Sequence, residues 1–188
     1  MREQPAAERV RNFSEVACGF SPEDALREAE RCLLCPEQPC VDGCPVGIDI
    51  PGFIKKIAAK NFHGAYDVIT DTNLLPSVCG RVCPQENQCE GVCTVGQPDT
   101  GLQPVAIGRL ERFVGDTAIK EGWANVPYIE PSGYRVGIVG AGPAGMACAA
   151  DMAKAGCDVT VYEAFHQPGG VLRYGIPDFR LPNTVIDA

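Results

Sequence analysis

The sequence lacks the features that would place it in several common classes of protein. No apolar run is long enough to span a bilayer, and the N-terminal segment MREQPAAERV is charged rather than apolar. Lysine and arginine total 16 against 24 acidic residues, and no block of basic residues occurs. The net charge of −8 therefore makes nucleic acid and anionic membranes poor partners. We expect a cytoplasmic protein that binds neither nucleic acid nor membrane.

Residues that usually carry acid–base or nucleophilic catalysis are also scarce. The two histidines, His63 and His166, stand far apart, and we expect a surface or structural role for each. The sequence shows no nucleophile motif, no general-base pair and no sign of a substrate pocket. We therefore expect no catalytic side chain, and any catalysis should be hydride and electron transfer by cofactors.

Cysteine, in contrast, is abundant, and eight of the eleven cysteines form two groups between residues 32 and 93. Thiolates supplied in fours bind iron–sulfur clusters or zinc, and eight ligands suit two sites. In bacterial ferredoxins a Cys-Pro pair ends a related run, and its cysteine ligates the other cluster. Cys44-Pro45 and Cys83-Pro84 both have this form. The first group is Cys32, Cys35, Cys40 and Cys44, and the second is Cys79, Cys83, Cys89 and Cys93.

Three other interpretations of these cysteines are weaker. Disulfides need an oxidising compartment, which the charged N-terminal segment does not indicate. Paired zinc sites usually combine two short Cys-x-x-Cys pairs, and only Cys32 and Cys35 have that spacing. Inert buried thiols would not be grouped in this way. Two iron–sulfur clusters are therefore favoured, and zinc is the main alternative.

Local signals predict that the cysteine-rich part is helical. Ser21 is expected to start a helix that continues to about Leu34 and places two cysteines at its end. The second cysteine group is expected in loops, because glycine, proline and asparagine surround it. A further helix begins after Pro104, and Gly122 is expected to end it.

A glycine-rich fingerprint marks the C-terminal part. Gly140, Gly142 and Gly145 follow RVGIV, which is predicted to be a short buried strand, and open a helix; Glu163 ends the next predicted strand. The glycines permit a tight turn and a close approach to a pyrophosphate at the helix N-terminus. Glu163 would accept hydrogen bonds from ribose hydroxyls and repel a 2′-phosphate. The turn is therefore expected to bind FAD or NAD, and not NADP.

The cofactor is expected to contact further residues near this turn. Pro143 and Ala144 lie between the fingerprint glycines, and the loop after Pro168 would let its backbone approach the same ligand. From that loop we predict Gly170 and Leu172 as cofactor-binding residues.

These signals predict three parts: a helical iron–sulfur domain at 1–122, a linker at 123–134 and a Rossmann-type region at 135–188. The expected fold is an α-helical domain with two 4Fe–4S clusters, followed by the start of an α/β Rossmann-type FAD-binding domain. Two parallel strands cannot bury both faces of a sheet. We therefore expect residues 135–188 to be an incomplete domain.

Six stretches together resemble the small subunit family of NADPH-dependent glutamate synthase, in its N-terminal part only. This family includes the large subunit of NADH-dependent reduced ferredoxin:NADP oxidoreductase, and the N-terminal part of dihydropyrimidine dehydrogenase is a further relative. The stretches cover almost the whole chain and read EAERCLLC, GCPVGIDIPGFI, GRVCPQENQCEGVC, PVAIGRLERF, GIVGAGPAGMACAADMAKAG and HQPGGVLRYGIPDFRLP.

The resemblance implies two 4Fe–4S clusters that exchange electrons with FAD, and NADPH bound in a second nucleotide domain. It also implies that ligation crosses between the cysteine groups. One cluster would be held by Cys32, Cys35, Cys40 and Cys93. The other would be held by Cys44, Cys83, Cys89 and an oxygen of Glu111. Cys79 then becomes a ninth candidate for eight places.

The leading hypothesis is an oxidoreductase subunit that passes electrons between NADPH, FAD and the two clusters. Its partner would be a second redox subunit, either a glutamate synthase large subunit or a small flavoprotein, and ferredoxin is a further candidate. The alternative is a non-catalytic electron-transfer or assembly module, with catalysis in another chain. Residues 1–188 alone are expected not to oxidise NADPH.

Overall fold

The computed structural model describes residues 2–123 and 128–188. The chain forms two units, one made of Met1–Arg11 with Val16–Ala124 and the other of Asn12–Glu15 with Asn125–Ala188. Part of the predicted linker, residues 124–127, lies outside the described residues. In the part of the chain that is described, no helix is both long and apolar enough to cross a membrane.

The first unit consists of helices joined by turns, as predicted. Its α-helices are α1 (Ala6–Arg9), α2 (Pro22–Ala29), α3 (Pro39–Asp42), α4 (Ile50–Ala58), α5 (Phe62–Thr70), α6 (Pro76–Val82) and α7 (Ile107–Glu121). Two short 3₁₀ turns, Gln85–Asn87 and Thr94–Gly96, lie in and directly after the second cysteine group.

Helix α2 begins where the sequence indicates but ends earlier. The Ser21 hydroxyl accepts the Asp24 N–H at 3.1 Å, and the Asp24 carboxylate accepts the Ser21 N–H, which forms a capping box. The predicted extension to Leu34 is wrong, because the helix ends at Ala29. The Cys32 N–H bonds to the Ala29 carbonyl in a tightened turn, and Leu34 has a φ of 50°, outside the helical region. The first two cysteines therefore lie in a turn after α2.

The core of the first unit is formed by the apolar faces of α4, α5 and α7. The Phe62 ring packs edge-to-face on Phe113, with ring centroids 5.1 Å apart. Cys89 and Cys93 are buried against this same core. The fully buried side chains include Phe53, Ile54, Ile57, Ile69, Leu110 and Val114. Two cysteines of the second group are therefore anchored in the core of this unit.

Helix α6 packs very closely against α7. It carries Cys79, so the prediction that the second cysteine group lies entirely in loops is wrong; Pro76 at its first position favours a helix start. A Cβ atom on Gly80 would lie 2.5 Å from the backbone nitrogen of Arg112, so only glycine fits there. This contact brings the middle of α7 next to the last turn of α6.

The N-terminus of α7 is capped by acidic side chains from elsewhere in the sequence. Its N-cap residue, Ala106, has no side-chain acceptor of its own. The Glu28 carboxylate accepts the Ala106 N–H at 2.8 Å, and the Glu90 carboxylate accepts the Gly108 N–H at 3.0 Å. Both carboxylates also interact favourably with the helix dipole. The predicted end of this helix is confirmed, since Gly122 adopts the left-handed conformation after Glu121.

The second unit opens with the predicted strand–helix–strand unit. Strands β1 (Arg135–Val139) and β2 (Asp158–Tyr162) pair in parallel, with Arg135 opposite Asp158 and Val139 opposite Tyr162. Between them runs α8 (Pro143–Lys154). Two short helices follow, α9 (Val171–Tyr174) and α10 (Asn183–Ile186).

The expectation that β1 is a buried strand is wrong. Exposed and half-buried residues alternate along β1, and Val139 is 91% exposed. In the described part of the chain the sheet has two strands, β1 and β2. Because so small a sheet offers few neighbours, apolar side chains on both strands stay accessible.

Candidate functional site

Thiols from both cysteine groups meet at a cavity in the first unit. The turn after α2 supplies two of them, α3 supplies one, and the fourth precedes the 3₁₀ turn Thr94–Gly96. Apolar side chains of α4, among them Ile50 and Ile54, form part of the wall. The four thiols are those of Cys32, Cys35, Cys40 and Cys93. Cys93 thus lies with the first group rather than with its neighbours in sequence.

Burial shapes the acidity of these thiols. Loss of hydration raises the pKa of Cys32 and raises that of Cys40 to about 11, and repulsion from neighbouring thiolates adds to both shifts. Because the thiolate is the form that binds metal, cluster binding here is coupled to release of protons.

A hydroxyl group stands next to one thiol of the cavity. Thr94 Oγ1 lies 3.4 Å from Cys35 Sγ, within hydrogen-bond reach of sulfur. A hydroxyl can donate as well as accept, so Thr94 can donate to Cys35 once that residue is a thiolate. Thr94 is not among the residues predicted from the sequence, although its position directly after Cys93 is a usable signal.

The second candidate site lies between α6, α7 and the loops that flank them. Cys44 follows α3, Cys83 follows α6, Cys89 lies in the loop after Gln85–Asn87, and Glu111 projects from α7. Burial raises the pKa of Cys89 to about 12, and the nearby charges of Glu90, Cys44 and Glu111 contribute to the shift. The structure therefore brings together the residues predicted for the second cluster, while their role as ligands stays a prediction.

Glu111 is an unusual residue to find in this position. The residue is 6% exposed, and burial raises the pKa of its carboxyl to about 8, with a further contribution from Cys83. The Asn73 side-chain amide donates to Glu111 Oε1 at 2.5 Å and opposes that shift. A carboxylate buried beside thiols is costly unless a cation or a metal centre compensates its charge.

Cys79 lies one helical turn before Cys83 and supports it. The Cys83 N–H bonds to the Cys79 carbonyl at 3.0 Å. The Cys79 thiol donates to Asn73 Oδ1 at 3.6 Å. Interaction with this neighbouring thiol lowers the pKa of Cys83 to about 7, and the pKa of Cys79 itself is raised. The ninth candidate ligand is therefore placed as a hydrogen-bond donor beside the second site.

The described residues contain no preformed site for a single metal ion. Across residues 2–123 and 128–188, no three His, Cys, Asp or Glu side chains converge closely enough to hold one metal ion.

Asn73 is likewise absent from the residues predicted from the sequence. The residue is 7% exposed, and its contact partner Glu111 is 38 positions away along the chain. Asn three residues before Pro76 is a pattern typical of a turn that starts a helix. That signal predicts the turn, but nothing local in the sequence indicates the contact with α7.

The fingerprint glycines form the turn between β1 and α8. Gly140 has a φ of 97°, and a Cβ atom on Gly145 would lie 2.0 Å from the Gly140 carbonyl oxygen. A Cβ atom on Gly170 would lie 2.8 Å from the Gly142 Cα, so the second glycine loop packs against the turn. The other predicted cofactor-binding residues are Pro143 and Ala144, in the first turn of α8, and Leu172 in α9. Their assignment to a cofactor stays a prediction.

Glu163 holds this turn from the end of β2. Its carboxylate accepts the Phe165 N–H at 2.8 Å and the Ala141 N–H at 2.6 Å. The bond from Phe165 contributes most, and that from Ala141 next, to lowering the pKa of the Glu163 carboxyl. The carboxyl is therefore ionised at neutral pH. A negative charge thus stands beside the glycine turn, where the sequence predicted a ribose-binding group.

Comparison with known protein families matches both units. Residues 9–123 match the family model described as dihydropyrimidine dehydrogenase domain II, 4Fe-4S cluster. Residues 138–185 match the model described as NAD(P)-binding Rossmann-like domain. The first match alone covers more than half of the chain.

Individual relatives align over nearly the whole chain. The glutamate synthase [NADPH] small chain of Azospirillum brasilense is 41% identical over 98% of this chain and 38% of its own length. The NAD-dependent dihydropyrimidine dehydrogenase subunit PreT of Escherichia coli O157:H7 is 44% identical over 94% of this chain and 42% of its own. The putative oxidoreductase UacF of Escherichia coli K12 is 40% identical over 96% of this chain and 28% of its own length. The chain thus spans about two fifths or less of the length of these relatives, and the resemblance predicted from the motifs is confirmed.

Proposed function

Because the chain belongs to the family of dihydropyrimidine dehydrogenase domain II, 4Fe-4S cluster, we propose that it serves an iron–sulfur flavoprotein oxidoreductase. In this proposal, electrons pass between NADPH, FAD and two 4Fe–4S clusters. The clusters belong to the first unit, and the FAD binds at the glycine turn of the second. The NADPH site belongs to a second nucleotide domain outside these 188 residues, so the residues alone are not expected to oxidise NADPH.

The observation that carries the proposal is the cavity in which four thiols from two distant cysteine groups meet. Three of them come from within residues 32–40, and Cys93 comes from more than 50 positions farther along the chain. The wall is otherwise mostly apolar, which excludes water from a bound cluster. Cys93 is buried and the other three thiols are half-buried, and a purely structural role does not account for their convergence.

The second site supports a second cluster. In this proposal three thiols and the Glu111 carboxylate are its four ligands. Cys89 and Cys93 are buried in one core, which supports the assignment of both sites to one packed unit. When bound, the clusters supply one-electron transfer. The protein's own residues bind them, hold the thiolates in position and exclude water.

The glycine turn supports a dinucleotide with free ribose hydroxyls. The ionised Glu163 beside the turn repels a 2′-phosphate and accepts hydrogen bonds from hydroxyl groups. FAD and NAD share this chemistry, and we propose FAD because a flavin is the cofactor that exchanges one electron with a cluster and a hydride with a nicotinamide.

The relatives' names indicate the type of partner. Two of them are named as a small chain or a subunit, so we propose that this protein works with a second redox subunit in the cytoplasm. That subunit is a glutamate synthase large subunit or a small flavoprotein, and ferredoxin is a further candidate acceptor.

Metal and flavin analysis after anaerobic purification tests the proposal. We expect about eight iron and about eight sulfide per chain, with negligible zinc. The flavin content is measured on the longest natural form of the protein, in which we expect FAD. Stoichiometric zinc without iron would show that the cysteine sites are not iron–sulfur clusters.

A further inference from the structure

Asn73 connects the two residues of the second site whose roles are least obvious from sequence. It lies between α5 and α6 and is 7% exposed. Its Nδ2 donates to Glu111 Oε1 at 2.5 Å, and its Oδ1 lies 3.6 Å from the Cys79 thiol. One amide therefore spans the gap between α7 and α6 at the point where the predicted ligands meet.

The orientation of this amide is fixed by a backbone group. The Leu75 N–H donates to Asn73 Oδ1 at 3.0 Å. A backbone N–H can only donate, so the oxygen of the amide must face Leu75 and the nitrogen must face Glu111. The Asn73 backbone is itself held, because its N–H bonds to the Ile69 carbonyl at 2.9 Å at the end of α5. The donor that reaches Glu111 is therefore preset by the fold.

This hydrogen bond determines which part of Glu111 remains available. It occupies Oε1, and in the described part of the chain no second hydrogen bond to the Glu111 carboxylate is formed. The carboxyl lies near Cys83 and Cys89, the thiols of the same site. Because a carboxylate has two oxygens, Oε2 is left for a metal centre on that side.

We propose that Asn73 is the positioning residue of the second cluster site: its amide holds Glu111 so that one carboxylate oxygen faces the cluster. The Cys79 thiol, which donates to the same amide, supports it from α6. The inference rests on the proposed function, since it takes Glu111 as an oxygen ligand. It adds a residue that acts through Glu111 and does not itself touch the cluster. The same bond draws negative charge from the carboxylate and so favours the reduced cluster.

A simpler role for Asn73 is that of a turn residue that starts α6, through its bond to the Leu75 N–H. The variant Asn73→Asp separates the two roles, because aspartate keeps the acceptor for Leu75 and loses the donor to Glu111. Asn73→Ala removes the donor without adding a charge. Asn61→Asp is the matched control, since Asn61 caps α5 by accepting the Gly64 N–H at 2.9 Å, and it is exposed.

The experiment uses the anaerobically purified protein with its clusters. The readouts are the electron paramagnetic resonance spectrum of each reduced cluster, its reduction potential, and the rate of iron release to a chelator. In Asn73→Asp and Asn73→Ala we expect an altered spectrum and a lower potential for the second cluster. We also expect iron release from that cluster to be roughly tenfold faster, the effect of a lost hydrogen bond to a charged group. The first cluster, and both clusters of Asn61→Asp, should be unchanged.

Two results would overturn the proposal and leave the proposed function intact. Unchanged spectra and potentials in both Asn73 variants would show that the amide does not position the ligand. Loss of both clusters in both variants would show a general structural role. Either result refutes the proposed role of Asn73 without refuting the proposed function, because the wild-type protein would still hold about eight iron. A wild-type protein without iron would refute the proposed function and this inference together.

Discussion

The close contact between α6 and α7 offers a sharp test of how the second site is built. A Cβ atom at Gly80 would lie 2.5 Å from the Arg112 nitrogen and 2.6 Å from the Gly108 carbonyl oxygen. Both neighbours are backbone atoms of α7, so Gly80→Ala can be accommodated only if the helices separate by about 1 Å, enough to restore van der Waals contact. Glu111 stands next to Arg112 on α7, and it should move away from Cys83 with the helix.

The energetic cost of Gly80→Ala follows from two opposing terms. Overpacking of a tight contact costs up to about 3 kcal/mol, while alanine gains about 1 kcal/mol over glycine within a helix. The net loss is about 2 kcal/mol, which lowers a thermal midpoint measured at one scan rate by about 4–8 °C. More directly, iron should fall from about eight toward about four per chain as the second cluster is lost.

The matched control is Gly137→Ala on β1. A Cβ atom there would meet only a ring carbon of Tyr162, at an ordinary contact distance of 3.4 Å. Its iron content and thermal midpoint should match those of the wild-type protein. If Gly80→Ala also retained both clusters and the wild-type midpoint, the close approach of α6 and α7 would not be what holds Glu111 at the second site.

Three further changes test separate parts of the account. Thr94→Val removes a hydrogen-bond donor to the Cys35 thiolate. If the reduced cluster loses about 1 kcal/mol of stabilisation relative to the oxidised cluster, the reduction potential of the first cluster should fall by about 40 mV in a redox titration. An unchanged potential would exclude this hydrogen bond. Glu111→Ala should lower the iron content to about four per chain, while the Cys79→Ser variant should keep about eight. The reverse pattern would make Cys79 the eighth ligand. In the longest natural form of the protein, Glu163→Ala should weaken FAD retention without changing iron content, and tight NADP binding at this turn would contradict the assignment.

The elements with strong local signals were predictable from the sequence. The capping box at Ser21, the left-handed glycine at Gly122 and the strand–turn–helix around Gly140 each depend on neighbours within a few residues. Local hydrogen bonds and steric constraints are sufficient to specify such features. The two cysteine groups were equally clear, because their spacing is itself a local pattern.

The contacts between distant segments were not predictable in the same way. The end of α2 depends on the turn that carries Cys32 towards Cys93, and the helix at Cys79 packs on α7 through Gly80. Tertiary contacts of this kind override local helix preference. The hydrogen bond from Asn73 to Glu111 likewise joins residues 38 positions apart, and only the packing of α6 on α7 brings them together.

The most direct test of the central claim is the identity of the cluster that Cys93 serves. The cavity places Cys93 with the first cysteine group, although its neighbours in sequence belong to the second. The electron paramagnetic resonance spectrum of reduced Cys93→Ala should therefore match that of Cys32→Ala, with about four iron retained and the second cluster intact. A spectrum that instead matched Cys83→Ala, with the first cluster intact, would contradict crossed ligation.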